Sequence, residues 1–338
     1  MKTLHFAAVL TLLALAVSCK KSFFEPEPSN TPEAIFENLW QTFQRDYGPF
    51  AERKIDWQSV YQQYRPMVDA HTSDDSLFSV LSGMLGTLND GHVNLFAPGR
   101  VAFNSNRIRN AQTDAELFDL PLIKQGYLHD KFETDSEGGF VLGLLEHDIV
   151  YVHLPFVSGN MVALGRALDE FPQAKGIIVD LRHNDGGDFT WAFSAIGHFV
   201  PERRMVFRSR TKNGAGPEDF TDWYEWYVEP KAPYSNKPMV LLTDRYTISA
   251  GERAAMAFQT LENCITLGDT TCGAQSTMVA GELANGWKYT IATQQTLLAN
   301  GKSYEGVGLA PDVYLKNDLE ALKNGRDQVL DAAINRLK

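Results

Sequence analysis

The chain has 338 residues, of which 44% are hydrophobic and 22% charged, and its formal net charge is −11. This is a globular composition, with enough apolar material for one large domain and a smaller one. The acidic balance and the lack of a lysine- or arginine-rich run argue against a nucleic-acid partner.

The first residues predict export. Lys2 is followed by an apolar run from Phe6 to Val17 and then by "AVSC", which ends at Cys19. The run is too short to span a membrane, and residues 1–18 have the layout of a secretory signal peptide. Because "AVSC" is similar to a bacterial lipobox, we expect Cys19 to be lipidated and residues 19–31 to form a lipid-anchored tether. An ordinary signal peptide with an incidental cysteine is the alternative. The expected location is the bacterial cell envelope, periplasmic or associated with the outer membrane.

Helices are expected after the tether. Thr31 and Pro32 form a favourable helix start, because the hydroxyl can cap the helix and proline occupies a first-turn position that needs no N–H. Asp56 is expected to cap a second helix, and apolar residues at helical spacing predict a third over about 75–88. Residues 32–98 are therefore predicted to be a helical subdomain.

The rest of the chain has a different pattern. Residues 99–147 are predicted to be a connecting segment with short strands, too short for a separate peptide-binding module. Beyond it, apolar strands alternate with amphipathic helices, which is typical of a layered α/β domain and defines residues 148–338 as the main domain. The predicted strands are 148–155, 174–182 and 237–244, and the predicted helices are 162–171, 189–199, 250–261 and roughly 318–337.

Ser249 stands where an apolar strand gives way to a helix. The stretch "SAGE" fits a capping box, in which Ser249 caps the helix and Glu252 reaches back. The same position suits a nucleophile, because the hydroxyl projects at the carboxyl end of the strand and the following N–H groups face any oxyanion formed there. This stretch alone leaves both interpretations open.

Paired glycines and two histidines add further candidates. Gly186 and Gly187 end a polar turn after a buried strand, where backbone N–H groups can approach a ligand or simply form a tight turn. The turn lacks the pattern of a nucleotide phosphate loop. His92 follows a turn at the end of a helix and His183 lies in the glycine loop. Nothing in their spacing chooses between them as a catalytic base.

Metal and cofactor sites are not expected. The chain contains no H-E-x-x-H and no C-x-x-C motif, nor any tight cluster of histidine and carboxylate at ligand spacing. Cys264 and Cys272 permit a disulfide in an exported protein, and they are equally compatible with two small apolar residues on neighbouring elements.

Five segments, taken in order, resemble the tail-specific, C-terminal-processing serine peptidase family in its tricorn-type, histidine-based branch. They are "LNDGHVNL", "KGIIVDLRHNDGGD", "VLLTDRYTISAGE", "LGDTTCGAQS" and "YEGVGLAPDV", and they lie within residues 86–315. The resemblance implies a crotonase-like α/β catalytic domain preceded by a small helical subdomain. The PDZ peptide-binding module that many members carry is not evident in this chain.

The resemblance also implies roles for individual residues. Ser249 matches the nucleophile, His92 matches the general base, and Glu305 matches the glutamate that completes the catalytic set. The oxyanion hole is expected to use the backbone N–H groups of Ala250 and of one glycine of the pair Gly186–Gly187.

Two departures from the family pattern matter. Ala274 stands where another branch has a catalytic lysine, which excludes a serine–lysine dyad. Gly91 stands where tricorn-type enzymes have a serine that links the histidine to the glutamate. The orientation of His92 is therefore open to a water, to Asp90 or to direct contact from Glu305.

The expected function is that of an exported serine endopeptidase that cleaves peptides or unfolded proteins through an acyl-enzyme on Ser249. The alternatives are a catalytically weak or inactive peptide- or ligand-binding protein on the same scaffold, and an esterase that uses the same serine. Trp223 and Trp226 belong to a long connection over residues 219–230, and they either line the substrate cleft or pack in a surface loop. The physiological substrate and the oligomeric state are not predicted.

Overall fold

The structure, a computed structural model, describes residues 29–338. The predicted signal peptide 1–18, the lipidation site Cys19 and most of the tether lie outside the described residues. Within residues 29–338 no helix is both long enough and apolar enough to cross a membrane.

The three predicted N-terminal helices are present, as α1 (Pro32–Asp46), α2 (Trp57–Tyr64) and α3 (Asp74–Gly86). Thr31 Oγ1 accepts the N–H of Ala34 at 3.3 Å and Asp56 Oδ1 accepts that of Ser59 at 3.1 Å, so both predicted caps form. Each cap satisfies an N–H group that lacks a partner within its helix.

A small sheet connects these helices to a distant part of the chain. Its strand order is β11-β12-β1-β2, and the strands are β1 (Asn94–Phe96), β2 (Phe103–Asn104), β11 (Met278–Glu282) and β12 (Lys288–Ala292). Trp287, Tyr289 and Ile291 of the β11–β12 hairpin are buried in the same hydrophobic core as the three helices. The helical subdomain therefore needs a hairpin from the main domain to complete its core, which the sequence pattern did not predict.

Beyond β2, which lies in the small sheet, the segment 99–147 joins the main domain. It contains the short helices α4 (Arg107–Asn110) and α5 (Leu120–Leu122), and then β3 (Phe132–Glu133) and β4 (Val141–Leu145). Strands β3 and β4 pair with each other and extend one edge of the large sheet.

The large sheet has seven strands in the order β14-β10-β9-β6-β5-β4-β3. Strands β5, β6, β9, β10 and β14 are parallel, whereas β3 and β4 are antiparallel. The remaining bounds are β5 (Ile149–His153), β6 (Gly176–Asp180), β9 (Met239–Thr243), β10 (Cys264–Gly268), β14 (Val313–Tyr314), α6 (Ala163–Glu170), α7 (Phe189–Ile196) and α8 (Ala250–Phe258).

Alternate strand residues enter two different cores. Val179 and Leu241 pack with helices α6, α7 and α8 on one face of the sheet, whereas Ile178 and Val240 pack with the C-terminal helix on the other. Because both faces are covered, the strands read as continuous apolar runs. The fold is thus a mixed α/β fold, as expected.

The predicted C-terminal helix over 318–337 is wrong in one respect, because the structure divides it into α9 (Leu319–Lys323) and α10 (Gln328–Leu337). Gly325 between them has φ +79°, a left-handed conformation that ends a helix. Asp327 then caps α10 through the N–H of Leu330 at 2.9 Å.

The predicted long connection over 219–230 is also wrong, because it contains β8 (Tyr224–Val228). This strand pairs with β7 (Arg204–Thr211), which also pairs with β13 (Gln294–Leu298), giving a third sheet in the order β13-β7-β8. The turns that follow β6, β9 and β10 lie at the carboxyl edge of the parallel strands, where open α/β sheets bind ligands.

Candidate active site

A cavity of about 640 Å³ lies at this carboxyl edge and brings Ser249 and His92 together. It is bounded by the turns after β6 and β9, by the start of β11 and by the turn before β1. Its lining includes Gly91, His92, Arg109, Gly187, Phe189, Ile248, Ser249, Ala250, Arg253 and Met278.

Ser249 precedes α8 with an unusual backbone. Its φ and ψ are 58° and −119°, whereas the caps of α9 and α10, Asp318 and Asp327, are extended. A non-glycine residue in such a conformation is strained, and strain of this kind is concentrated at functional sites. An ordinary helix cap would need no such distortion.

Glu252 holds residues 271–274, which form the loop below Ser249. Its carboxylate accepts hydrogen bonds from Thr271 Oγ1 at 2.6 Å and from the N–H groups of Gly273 and Ala274 at 2.8 Å. It also accepts the N–H of Ser249 at 3.3 Å, which is the Glu252 half of the predicted capping box. Burial raises the pKa of Glu252, and these donors oppose that rise.

The two glycines of the oxyanion prediction differ. The N–H of Gly186 donates to Asn184 Oδ1 at 2.9 Å, so this donor is already used, and its prediction as an oxyanion donor needs correction. The same amide side chain donates to Leu154 O at 2.7 Å, which fixes the turn to the end of β5. Sequence could not distinguish the glycines because the bond depends on a side-chain orientation.

Gly187 has the properties of a donor position. Its φ is +138°, and a Cβ there would lie 2.0 Å from Val157 O, so only glycine fits. Neither its N–H nor that of Ala250, at the first turn of α8, is bonded to a backbone acceptor in the described part of the chain. Gly187 and Ala250 both line the cavity.

Strand pairing fixes the main chain of His92. The N–H of His92 donates to Asp90 Oδ1 at 2.8 Å, and Thr290 Oγ1 donates to His92 O at 2.7 Å. Thr290 lies on β12, opposite Asn94 of β1. The hairpin that completes the helical core therefore also positions the histidine.

The residue His92 is only 3% exposed, and neither ring nitrogen has a hydrogen-bond partner among the described residues. Burial lowers the pKa of His92 to about 4, against the opposing effect of Asp90. The ring is therefore neutral at pH 7 and able to accept a proton.

Glu305 lies behind the cavity and does not bond the histidine ring. Its carboxylate accepts from Arg53 Nη2 at 2.5 Å and from the N–H groups of Gln275 and Ser276 at 2.8 and 3.1 Å. Direct contact from Glu305 to His92, one of the expected arrangements, is thus not formed. Burial raises the pKa of Glu305, and the Arg53 guanidinium opposes that rise.

Arg53 connects the two acids near the site. Its Nε lies 3.3 Å from Asp90 Oδ2, its Nη1 donates to Asn89 O at 2.7 Å, and its Nη2 donates to Gly273 O at 2.7 Å. Together with Glu305 these contacts link the turn that carries His92 to the loop below Ser249. Asp90, which also accepts from Tyr47 at 2.7 Å, is thus the acid that orients the histidine main chain.

The rival histidine is engaged elsewhere. His183 Nδ1 lies 2.7 Å from Asp244 Oδ2 and its Nε2 lies 3.1 Å from Ala115 O. The ring stacks on Tyr246 with centroids 4.5 Å apart. Both nitrogens have partners, and His183 is not among the residues that line the cavity.

The two departures from the family pattern lie side by side. A Cβ on Gly91 would meet Ile248 Cδ1 at 2.5 Å and the Ala274 side chain at 3.5 Å. Ile248, Cys272 and Ala274 form a small buried cluster there. The space of the missing serine side chain is thus occupied by isoleucine.

Replacing Gly91 with serine should therefore destabilise the protein by about 1–3 kcal/mol through overpacking. The double variant Gly91→Ser/Ile248→Val, which lacks the clashing methyl group, should recover most of that loss. Urea unfolding measures both, with Ile248→Val alone as the control. A Gly91→Ser variant as stable as the wild type would contradict the expected clash with Ile248.

The two tryptophans do not line the cavity, which corrects their prediction as cleft residues. Trp226 packs edge-on against Phe189 with centroids 4.9 Å apart, and its Nε1 donates to Ser209 Oγ at 3.0 Å. Trp223 lies beneath the guanidinium of Arg208, 4.9 Å from the ring centroid. Both lie in or next to strand β8 of the third sheet, a region that was predicted to be a long connection.

Cys264 and Cys272 are free thiols, so the disulfide does not form in the structure. Cys264 lies on β10 beside β9, and Cys272 Sγ accepts from Asn106 Nδ2 at 3.1 Å. The alternative interpretation, two small apolar residues on neighbouring elements, fits them better, with Cys272 buried and Cys264 partly buried.

The sequence did not identify two residues at or near the cavity, Arg53 and Arg253. Arg53 has no spacing relation to Glu305, because it reaches that residue across the subdomain boundary. Arg253 had a usable signal, since it and Glu252 are the two charged residues of an alanine-rich helix that is buried along its whole length.

Comparisons with known proteins agree with this architecture. Residues 148–315 match peptidase family S41, and residues 28–86 match the tricorn protease C1 domain. The carboxy-terminal processing protease CtpA of Bacillus subtilis is 29% identical over 140 residues, which are 41% of this chain and 28% of that protein. The carboxy-terminal-processing protease of Bartonella bacilliformis is 26% identical over 199 residues, which are 55% of this chain and 43% of that protein. The chain thus spans less than half the length of these curated relatives.

Solved structures show the same fold. That of a candidate peptidase from Parabacteroides merdae has a TM-score of 0.81 at 28% identity and covers 91% of this chain and 97% of that one. The tricorn protease has a TM-score of 0.54 at 15% identity, covering 91% of this chain and 36% of that one, a likeness of fold alone. The class that fold and matches define is that of the serine-type peptidases. Within it, residues 148–315 of this chain are a peptidase family S41 domain, and residues 28–86 are a tricorn protease C1 domain.

Proposed function

We propose that the protein is a serine peptidase in which Ser249 forms an acyl-enzyme and His92 is the general base. The observation that carries this proposal is the shared cavity, in which a strained serine at a helix N-terminus lies with a buried, neutral and unpartnered histidine. A ring without a competing bond is free to accept the serine proton. The main domain is proposed to be crotonase-like.

The mechanism follows from the groups around Ser249. His92 takes the hydroxyl proton as the oxygen attacks the peptide carbonyl, and the carbonyl oxygen becomes an oxyanion. The N–H groups of Gly187 and Ala250 are the proposed donors to that oxyanion. His92 then gives its proton to the leaving amine, and water hydrolyses the acyl-enzyme. Glu305, Arg53 and Asp90 act as positioning residues.

Peptides or unfolded proteins are the proposed substrates, because relatives are named carboxy-terminal processing proteases. Export through residues 1–18 and a lipid anchor at Cys19 are likewise proposed, with a location in the bacterial cell envelope. Two rivals are a non-catalytic binding protein on the same scaffold, which Gly91 favours, and an esterase that uses the same serine.

Covalent labelling with a fluorophosphonate tests the nucleophile. We expect one adduct per chain, mapped to Ser249 by peptide mass analysis, no adduct in Ser249→Ala, and labelling slowed by orders of magnitude in His92→Ala. His183→Ala is the matched control, and it should label at nearly the wild-type rate.

The outcomes separate the candidates. Absence of an adduct in folded wild-type protein would favour the binding protein. Labelling that depends on His183 instead of His92 would overturn the base assignment. A labelled enzyme that hydrolyses p-nitrophenyl acetate and leaves unfolded casein intact would favour the esterase.

A further inference from the structure

Arg253 lies one helical turn beyond Ser249 and lines the same cavity. Its side chain is almost fully buried, with 4% of the residue exposed. Helix geometry places the two positions about 6 Å apart along the axis of α8, on neighbouring parts of one face. Arg253 thus belongs to the wall of the cavity that holds Ser249 without belonging to the proposed catalytic set.

The hydrogen bonds of Arg253 go to neutral acceptors. Its Nε donates to Gln275 O at 3.0 Å, and its Nη2 donates to Thr277 Oγ1 at 3.2 Å and to Gln294 Oε1 at 3.0 Å. Its Nη1 has no hydrogen-bond acceptor among residues 29–338. Burial lowers the pKa of Arg253 to about 10, and the charges of Glu305 and Glu252, which do not bond the guanidinium, oppose this only partly.

The other two buried arginines are bonded differently. Arg53 contacts the carboxylates of Asp90 and Glu305, and Arg182 contacts those of Asp180 and Asp327 at 2.6 and 2.9 Å. Burying a charge is costly unless it is paired, and the fold meets that requirement at both positions. Arg253 forms no salt bridge with a carboxylate of the described chain.

The acids that line the cavity are engaged by other groups. Asp185 Oδ1 lies 2.6 Å from Arg109 Nη2, and Asp188 caps α7 through the N–H of Thr190 at 2.9 Å. Below Arg253, the rings of Phe189 and Phe207 lie 4.7 and 4.9 Å from the guanidinium carbon. These rings hold the guanidinium in place and stabilise its charge only partly.

We propose that Arg253 binds a carboxylate of the peptide substrate within a few residues of the scissile bond and thereby determines specificity. This rests on the proposed peptidase function, because the cavity must admit a peptide. A guanidinium binds a carboxylate more strongly than it binds neutral acceptors. The carboxylate comes either from an aspartate or glutamate side chain or from the chain terminus of the substrate.

Binding without turnover tests this inference. In Ser249→Ala protein, anisotropy is measured with alanine-based hexapeptides that carry a neutral nitrobenzoxadiazole label. One series is amidated at the C-terminus and has a single Asp or Asn at each position in turn. A second pair has no Asp and ends in either a free carboxylate or an amide. We expect at least one carboxylate peptide to bind about tenfold or more tightly than its neutral partner.

The arginine is then varied in the Ser249→Ala background. Arg253→Met should reduce the carboxylate preference to within about twofold, and Arg253→Lys should retain part of it. Arg203→Met, which removes an exposed arginine paired with Glu229, is the matched control and should keep the full preference. The series that shows the preference identifies the side chain or the terminus as its source.

Two results would overturn the inference. One is that no carboxylate peptide binds more tightly than its neutral partner, which decides the question even if Arg253→Met does not fold. The other is an unchanged preference in Arg253→Met. Because binding is measured without catalysis, failed fluorophosphonate labelling of the wild type would remove the peptidase and leave the carboxylate site standing.

Discussion

Replacing His92 with leucine should reduce peptide hydrolysis by several orders of magnitude while leaving the protein at least as stable as the wild type. Loss of a catalytic base in a serine peptidase costs about 10⁴–10⁶ in rate. A buried polar group without partners costs about 1–3 kcal/mol, and both ring nitrogens of His92 are in that condition. An apolar side chain of similar volume removes this cost.

The difference in the free energy of unfolding between His92→Leu and the wild type should grow as the pH falls. The pKa of His92 is about 4 in the folded protein and 6.5 ordinarily, so the unfolded chain binds a proton that the folded protein does not bind between these values. The wild type therefore loses stability from this group as the pH falls through 6.5 towards 4, by about 3 kcal/mol in all. His92→Leu has no such loss.

Urea unfolding at pH 7, 6 and 5 and a peptide hydrolysis assay measure the two effects. His153→Leu is the matched control, because His153 is also buried but its Nδ1 lies 3.2 Å from Asp180 O. That variant should lose stability and keep most of the activity. A structural role for His92 would be indicated by a destabilised His92→Leu that still hydrolyses peptides.

The rate at which a fluorophosphonate labels the wild-type enzyme should also decrease at low pH. The neutral ring is the proton acceptor, so the fluorophosphonate labelling rate should stay level from pH 8 to about 5 and decline only as the pH approaches 4. A decline centred at 6.5 would mean that the imidazole is solvated when the enzyme reacts.

Local signals explain what the sequence predicted well. Ser249, its helix and the glycine turn each occupy a contiguous stretch of the sequence. In such a stretch an apolar strand, a helix cap and a position with positive φ each favour particular residue types, so they can be predicted locally. Strands β6 and β9 were recognisable because burial on both faces gives each a run of consecutive apolar residues, 177–179 and 239–242. Strand β8 was missed because its exposed aromatic and acidic residues read as a loop.

The parts that were not predicted depend on contacts between distant segments. Choosing His92 over His183 required the resemblance to a family, since spacing alone does not show that Asp244 and Ala115 O engage His183. The role of Gly186 depended on one side chain, Asn184. The contacts of Arg53 join separate turns and loops, and no local sequence pattern predicts them.

Replacing Arg53 with methionine should lower the free energy of unfolding by about 3–5 kcal/mol, because the carboxylates of Asp90 and Glu305 would stay buried without their cation. Urea unfolding at pH 7 measures the loss. The matched control is Arg65→Met, which removes a half-buried arginine 2.6 Å from Glu37 and should cost about 1 kcal/mol or less.

A second substitution separates lost charge from lost packing. In the Arg53→Met background, Glu305→Gln keeps this side chain neutral, the form that burial already favours, and should recover part of the stability. Recovery is expected to be partial because Asp90 still lacks its contact with Arg53 and the bonds to Asn89 O and Gly273 O stay broken. If Glu305→Gln made the methionine variant less stable still, charge pairing would not be what Arg53 supplies.

The same variants connect stability to catalysis. Arg53 holds Asp90, and Asp90 holds the N–H of His92, so the histidine should lose its fixed position when the arginine is removed. Arg53→Met protein that is still folded should therefore label slowly at Ser249, whereas Arg65→Met should label normally. Adding Glu305→Gln should restore stability more than labelling, because it keeps that side chain neutral without rebuilding the support of Asp90. Equal restoration of both would mean that Glu305 itself, and not the Arg53–Asp90 connection, sets the position of the base.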